Sequence, residues 1–161
     1  MTEAGRAVTL DERLLLALRA SAVHLPEEDL AGETGEPVER IEVALARLRD
    51  AGFEIENRPG FGWRLLSSPD RLIADDLRAR LGGCDLAREI LVFEETGSTN
   101  DIATRLGREG HPGGLAVFAE RQTAGRGRFG RQWDSQSRAG LWLSLLLRPP
   151  WPAAQWARPT S

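Results

Sequence analysis

The chain has no lysine: all 21 of its basic residues are arginine. Biased genome composition is the ordinary cause, and no side-chain amine of this chain is there to accept an acyl group. Cysteine is nearly absent too. Cys84 alone excludes an internal disulfide and a cysteine zinc cluster, and beside Gly82-Gly83 it reads as an incidental thiol in a turn. The two histidines, His24 and His111, are far apart and lack HxxxH or HxH spacing, so neither supports a metal or a catalytic dyad. No apolar run approaches the roughly 20 residues of a membrane helix. The N-terminus lacks the basic-then-apolar pattern of a secretory signal. These absences read as a cytoplasmic protein without a membrane partner.

What remains is ordinary globular material. Of 161 residues, 41% are hydrophobic and 28% charged, enough to bury a real core in one domain or two small ones. Thr9 followed by Glu12 forms a capping box ahead of Leu10, Leu14 and Leu18. Pro26-Glu27-Glu28 starts a second helix that Gly32 or Gly35 ends. Pro37 opens a third, with Val38, Ile41, Leu45 and Leu48 as its apolar stripe and Gly52 as its stop. Phe53 to Glu56 alternates like a strand, Asn57 to Gly60 turns, and Phe61 to Leu65 returns. Three helices and a hairpin predict a winged helix-turn-helix over residues 1–67.

Charge argues against the simplest use of such a unit. Residues 1–67 carry eight arginines against thirteen carboxylates, a formal −5, which leaves +2 for residues 68–161. DNA readers draw affinity from phosphate neutralisation and counterion release, yet the third helix begins with Glu36, Glu39 and Glu42 around Arg40. Arg40, Arg47 and Arg58 are the candidate phosphate contacts, with Arg49 and Arg64 nearby. The alternative is a domain kept for packing, dimer contacts or solubility.

Ser67-Ser68-Pro69 reads as a linker, with Ser68 as cap and Pro69 as the first residue of a helix lined by Leu72, Ile73, Leu77 and Leu81. Glu89 to Glu95 is then a strand, Ser98 to Leu106 a helix capped by Ser98, and Leu115 to Glu120 a strand. Gly140 to Leu147 is another strand. Mixed strands and helices predict an α/β or α+β domain over residues 68–161. Between the last two strands runs Ala124-Gly125-Arg126-Gly127-Arg128-Phe129-Gly130-Arg131. Glycines allow positive φ and close approach to a ligand, successive amides can form an anion nest, and arginines supply fixed cationic forks. Taken alone, the run also fits a basic surface loop or an RNA-touching segment. Its place in a loop between two strands of a compact domain, away from the chain ends, favours a site for an anionic ligand.

The stretch from Ala119 to Trp133, preceded by Gly97-Ser98-Thr99-Asn100, resembles the active-site signature of biotin protein ligases, and with the helices before it the resemblance covers nearly the whole chain. It implies an α+β fold: an N-terminal winged helix-turn-helix, as in members that double as the biotin operon repressor, then a catalytic domain like the class II aminoacyl-tRNA synthetases. The implied substrates are biotin and ATP, joined as biotinyl-5′-AMP with Mg²⁺. The implied partners are a biotin carboxyl carrier protein that accepts biotin on a lysine, operator DNA and a second subunit in a homodimer. By resemblance Ser98, Thr99, Asn100 and Gln122 hold biotin, joined by Arg126, Gly127 and Arg128. Arg126 and Arg128 clamp the reacting carboxylate and phosphate as the catalytic pair, while Gly125, Arg131 and Trp133 meet the nucleotide. No residue is assigned to a metal; Glu120 and Asp134 offer carboxylates, but at no identifying spacing.

One departure stands out. The family carries a lysine in a later Lys-Trp-Pro-Asn-type block that this sequence does not reach before Ser161, nor does it reach the later strands and small C-terminal barrel. The expectation is an incomplete ligase, inactive alone. Leu141 to Leu147, apolar on both faces, reads as an interior strand whose open edge favours aggregation. Two other readings remain: a biotin-responsive winged-helix repressor or binding module without ligase activity, and a lipoate ligase or transferase, which the Gly-Arg-Gly-Arg run disfavours.

Overall fold

The computed structural model describes residues 7–125 and 140–150. Helix α1 (Leu10–Ala20) starts where expected, because the Thr9 hydroxyl accepts the Glu12 backbone N–H at 3.1 Å. Helix α2 (Glu27–Thr34) follows Pro26 and ends at Gly35, whose φ of 68° lets its N–H return to the Ala31 carbonyl. Helix α3 (Val38–Asp50) follows Pro37 and buries Ile41, Leu45 and Leu48. Strands β1 (Glu54–Arg58) and β2 (Gly62–Ser67) form an antiparallel hairpin. Phe61 stays out of the returning strand, its ring lying 4.5 Å beneath the Arg58 guanidinium. These elements close on one core, in which Leu14, Leu18 and Leu30 meet Leu45, Phe53 and Trp63. Arg49 pins the end of α3 to the hairpin, since its guanidinium lies 4.6 Å over the Trp63 ring and donates to the Ile55 carbonyl.

The linker departs from its sequence reading. Ser68 caps no helix and Pro69 starts none: α4 runs Ala74–Leu81, with Ile73 at its N-cap and no side-chain cap. Tertiary partners outbid the local signal. The Ser68 hydroxyl accepts from Arg19 at 2.8 Å and Arg80 at 3.3 Å, and the Glu120 carboxylate takes the Leu72 N–H. Leu72 and Ile73 therefore precede α4 instead of lining it. Helix α4 serves two cores at once. Ala79, with Ile73, packs into the N-terminal cluster, whereas Leu77, with Leu72, packs against Ile90, Ala116 and Phe118 of the following sheet. Buried Asp76 pairs with both Arg19 of α1 and Arg80. Removing one member of such a group strands the others' charge.

That sheet contains β3 (Glu89–Thr96), β4 (Leu115–Gln122) and β5 (Trp142–Leu146) in the order β3-β4-β5. Strands β3 and β4 are parallel, joined by α5 (Thr99–Arg108), while β5 runs antiparallel to β4. Mixed helix and sheet was expected. Leu115 to Ala119 of β4 are buried throughout, because α4 covers one face of the sheet and α5 the other.

Strand β5 corrects another expectation. Its faces alternate: Leu146 packs under α5, but Leu143, Leu145 and Leu147 are 42–43% exposed on the opposite face. Among the described residues β5 has a partner on one side only. An apolar stripe beside a free edge promotes association. Sedimentation velocity on the free chain is expected to show oligomers, diminished by the double change Leu143→Thr and Leu145→Thr; a clean monomer for the unaltered chain would refute this.

Candidate ligand-binding site

The site forms where the two parallel strands end. Thr96 and Gln122 are the last register partners of β3 and β4, and the pairing carries on past them. The Thr123 N–H donates to the Thr96 carbonyl at 2.9 Å and the Ala124 N–H to the Gly97 carbonyl at 2.8 Å. Two sequence blocks that lie more than twenty residues apart are thereby laid side by side: Gly97-Ser98-Thr99-Asn100 and the entry to the arginine-glycine run. Loop segments at the carboxyl ends of parallel strands are a frequent place for ligands.

Side chains lock this junction. The Gln122 Oε1 accepts from the Thr99 backbone N–H at 2.7 Å and from the Thr99 hydroxyl at 3.1 Å. The same hydroxyl lies 2.9 Å from the Ser144 hydroxyl of β5. With its carbonyl oxygen so engaged, Gln122 keeps two amide hydrogens to offer a ligand. Thr99 is thus the hub of a polar network joining β4, α5 and β5. Ser98 is buried at the N-terminus of α5 but its hydroxyl makes no capping bond, contrary to the cap read from the sequence. Ser98 does stand at the N-cap position, and Gln122 takes the helix's first amide, that of Thr99, which a capping hydroxyl does not serve. Asn100 is exposed on the first turn of α5, and Gly125 is buried at the start of the arginine-glycine run.

Ser144 was missed at the sequence level. Its signal is a lone hydroxyl in the apolar run Trp142-Leu143-Ser144-Leu145-Leu146, on the face that strand alternation turns toward α5. Trp142 shares that face, and among the described residues its buried indole N–H has no hydrogen-bond partner. A buried donor left unsatisfied costs about 1–3 kcal/mol, so a ligand acceptor there would relieve it. The expected residues Arg126, Gly127, Arg128, Arg131 and Trp133 lie outside the described residues, as does Asp134.

The remaining candidates have other occupations. Glu120 is engaged with Leu72, and among the described residues no group of three or more His, Cys, Asp or Glu side chains could hold a metal ion. Arg40 pairs with Glu36 at 2.7 Å, and Arg47 pairs with Asp11. Arg58 lies over Phe61 on the hairpin. Among the described residues no helix is long and apolar enough to cross a membrane.

Residues 92–157 match the model of the Biotin/lipoate A/B protein ligase family, which spans the strand ends, the Thr99 network and the arginine-glycine run. This match and the relatives that follow support a biotin protein ligase. It is 36% identical over 108 residues to the bifunctional ligase/repressor BirA of Bacillus subtilis, covering 67% of this chain and 33% of that protein. Against BirA of Escherichia coli it is 34% identical over 135 residues, 83% of this chain and 40% of the relative. Against the biotin–[acetyl-CoA-carboxylase] ligase of Mycobacterium tuberculosis it is 44% identical over 62 residues, 38% of this chain and 23% of the relative. The chain thus spans well under half the length of these relatives.

Proposed function

We propose that this chain carries the biotin- and adenylate-binding part of a biotin protein ligase, over residues 68–161, behind a winged helix-turn-helix at residues 1–67. The observation that carries the reading is the Thr99–Gln122–Ser144 network, which sets neutral donors and acceptors beside the start of the cationic, glycine-spaced sequence run. Biotin's ureido ring is uncharged, with one carbonyl and two N–H groups, and asks for such partners. In this reading Ser98, Thr99, Asn100 and Gln122 hold the ring. Gly125 and Gly127 bring backbone amides close, and Trp133 offers a flat face to adenine.

The reaction follows from that placement. A biotin carboxylate oxygen bonds to the α-phosphorus of ATP, the bond to the β-phosphate oxygen breaks, and pyrophosphate leaves. Arg126 and Arg128, with Arg131, offset the negative charge that gathers between carboxylate and polyphosphate. Mg²⁺ would neutralise the phosphates further. A lysine amine of a biotin carboxyl carrier protein then attacks the acyl carbonyl and AMP leaves, the amine giving up its proton.

Calorimetry with biotin, lipoate and a nonhydrolysable biotinyl-adenylate analogue tests this. The adenylate is expected to bind most tightly and lipoate least; preference for lipoate, or no biotin binding, would overturn the assignment. ATP–pyrophosphate exchange reports whether activation itself occurs.

A second reading is a biotin-responsive repressor that contacts operator DNA as a homodimer in the cytoplasm. The helix–hairpin core of the N-terminal unit favours it. Among its candidate contacts, Arg40 and Arg47 are already engaged by carboxylates, leaving Arg58 of the hairpin to meet phosphate. Adenylate-dependent binding to an operator duplex would support this reading.

A further inference from the structure

A second cationic site lies away from the Thr99 network, where the N-terminal unit meets α4. A groove of about 530 Å³ is lined by Arg19 at the end of α1, Arg64 of β2, Arg80 of α4 and the serines 21, 67 and 68. Two of the guanidiniums share one carboxylate, since Asp76 pairs with Arg19 and Arg80, and among the described residues the Arg64 guanidinium has no ion-pair or hydrogen-bond partner. Glu56 is the cross-strand register partner of Arg64, but its Oε2 is taken by His24 at 2.7 Å. Ser67 donates to Glu54 at 2.7 Å, which places that carboxylate at the rim. Ser21 is spent on the Val23 backbone. Ser68 differs: its oxygen accepts from Arg19 and Arg80, leaving its hydroxyl hydrogen to donate. The Arg19 Nε–H is buried and without a hydrogen-bond partner among the described residues.

We propose that this groove binds a phosphate group, held by the Arg64 and Arg80 guanidiniums and the Ser68 hydroxyl. Hydrogen-bonding capacity, and not net charge, calls for the anion: Asp76 engages Arg19 and Arg80 but not Arg64, and the donors left over are directional forks suited to a tetrahedral oxyanion. Because Arg64 belongs to the hairpin and Arg80 to α4, an occupant would tie the N-terminal unit to the helix that carries the sheet. The inference is independent of the reading of the Thr99 site.

Thermal unfolding of the whole chain provides the test, with inorganic phosphate, ribose 5-phosphate and sodium chloride compared at matched ionic strength. Phosphate is expected to raise Tm in a saturable way that chloride does not reproduce. Arg64→Ala, an exposed position, should weaken the apparent affinity about tenfold, as for loss of a charge-assisted hydrogen bond. Arg108→Ala on α5, which removes the same charge elsewhere, should not. Tighter binding of ribose 5-phosphate would identify a phosphorylated metabolite as the source, and equal binding free phosphate; both support the site. Equal effects of chloride and phosphate, an undiminished response in Arg64→Ala, or stabilisation by duplex DNA alone would overturn it.

Discussion

Replacing Gly62 by alanine is expected to remove about 3–5 kcal/mol from the stability of the chain, a large share of the roughly 5–15 kcal/mol that holds a domain folded. Gly62 has φ +97°, and a Cβ there would lie 1.9 Å from the Leu25 carbonyl oxygen and 2.6 Å from the Pro26 nitrogen. Both obstacles are backbone, so no side chain can swing aside. Relief requires parting the two strands of chain that Leu25 and Trp63 join by reciprocal hydrogen bonds of 2.8 Å. Losing that pair would in turn loosen the Trp63 indole from Glu27, to which it donates at 3.0 Å. The left-handed conformation adds about 1–2 kcal/mol for any L residue. Gly60 is the internal control. It also has positive φ, +78°, but open space around its Cα, so Gly60→Ala should cost only the conformational part. Urea denaturation of the two variants checks the contrast; similar midpoints would mean that the Leu25 contact carries no weight.

The second large effect is expected at Gln122. Gln122→Ala leaves the Thr99 backbone N–H, now held at 2.7 Å, without a partner in a buried setting, for about 1–3 kcal/mol of lost stability. Biotin affinity should fall with it, about tenfold to a hundredfold for one or two hydrogen bonds to the ureido ring. Gln122→Glu separates the two roles. It retains an oxygen for the Thr99 N–H and hydroxyl but has no amide hydrogens to give a ligand. Stability should remain near that of the parent while biotin binding drops. Thr99→Val provides the opposite cut, deleting the hydroxyl that touches both Gln122 and Ser144 while leaving the Gln122 amide in place. If Gln122→Glu binds biotin as the parent does, Gln122 is structural and the ureido assignment fails.

How much of this was legible in the sequence depends on how far apart the interacting residues are. The Thr9 cap, the glycine stop at Gly35 and the stripe of α3 are local effects, read within a turn or two, and they stand in the structure where the spacing put them. The pairing of the two motif blocks rested on resemblance; the hydrogen bonds from Thr123 and Ala124 supply its physical basis. What escaped were residues whose partners come from elsewhere. Ser68 and Pro69 have every local mark of a helix start, yet Arg19 and Arg80 claim the serine and α4 begins at Ala74. Ser98 has the mark of a cap and stands at the cap position without making the bond, while a glutamine from another strand takes the helix's first amide, that of Thr99. Ser144 looked like an interruption in an apolar run until α5 brought Thr99 over it. Gly62 was read only as part of a returning strand, because nothing near it in sequence announces the approach of Leu25.

The Glu120 carboxylate, which holds the Leu72 N–H, sits on the same strand as Gln122, two residues before it. Four residues beyond Leu72, Asp76 grips Arg19. The joint between the chain's two halves is therefore a splice and not a pivot: swinging one half would first have to extract a charged group from its socket, and would pull on the strand that presents the glutamine.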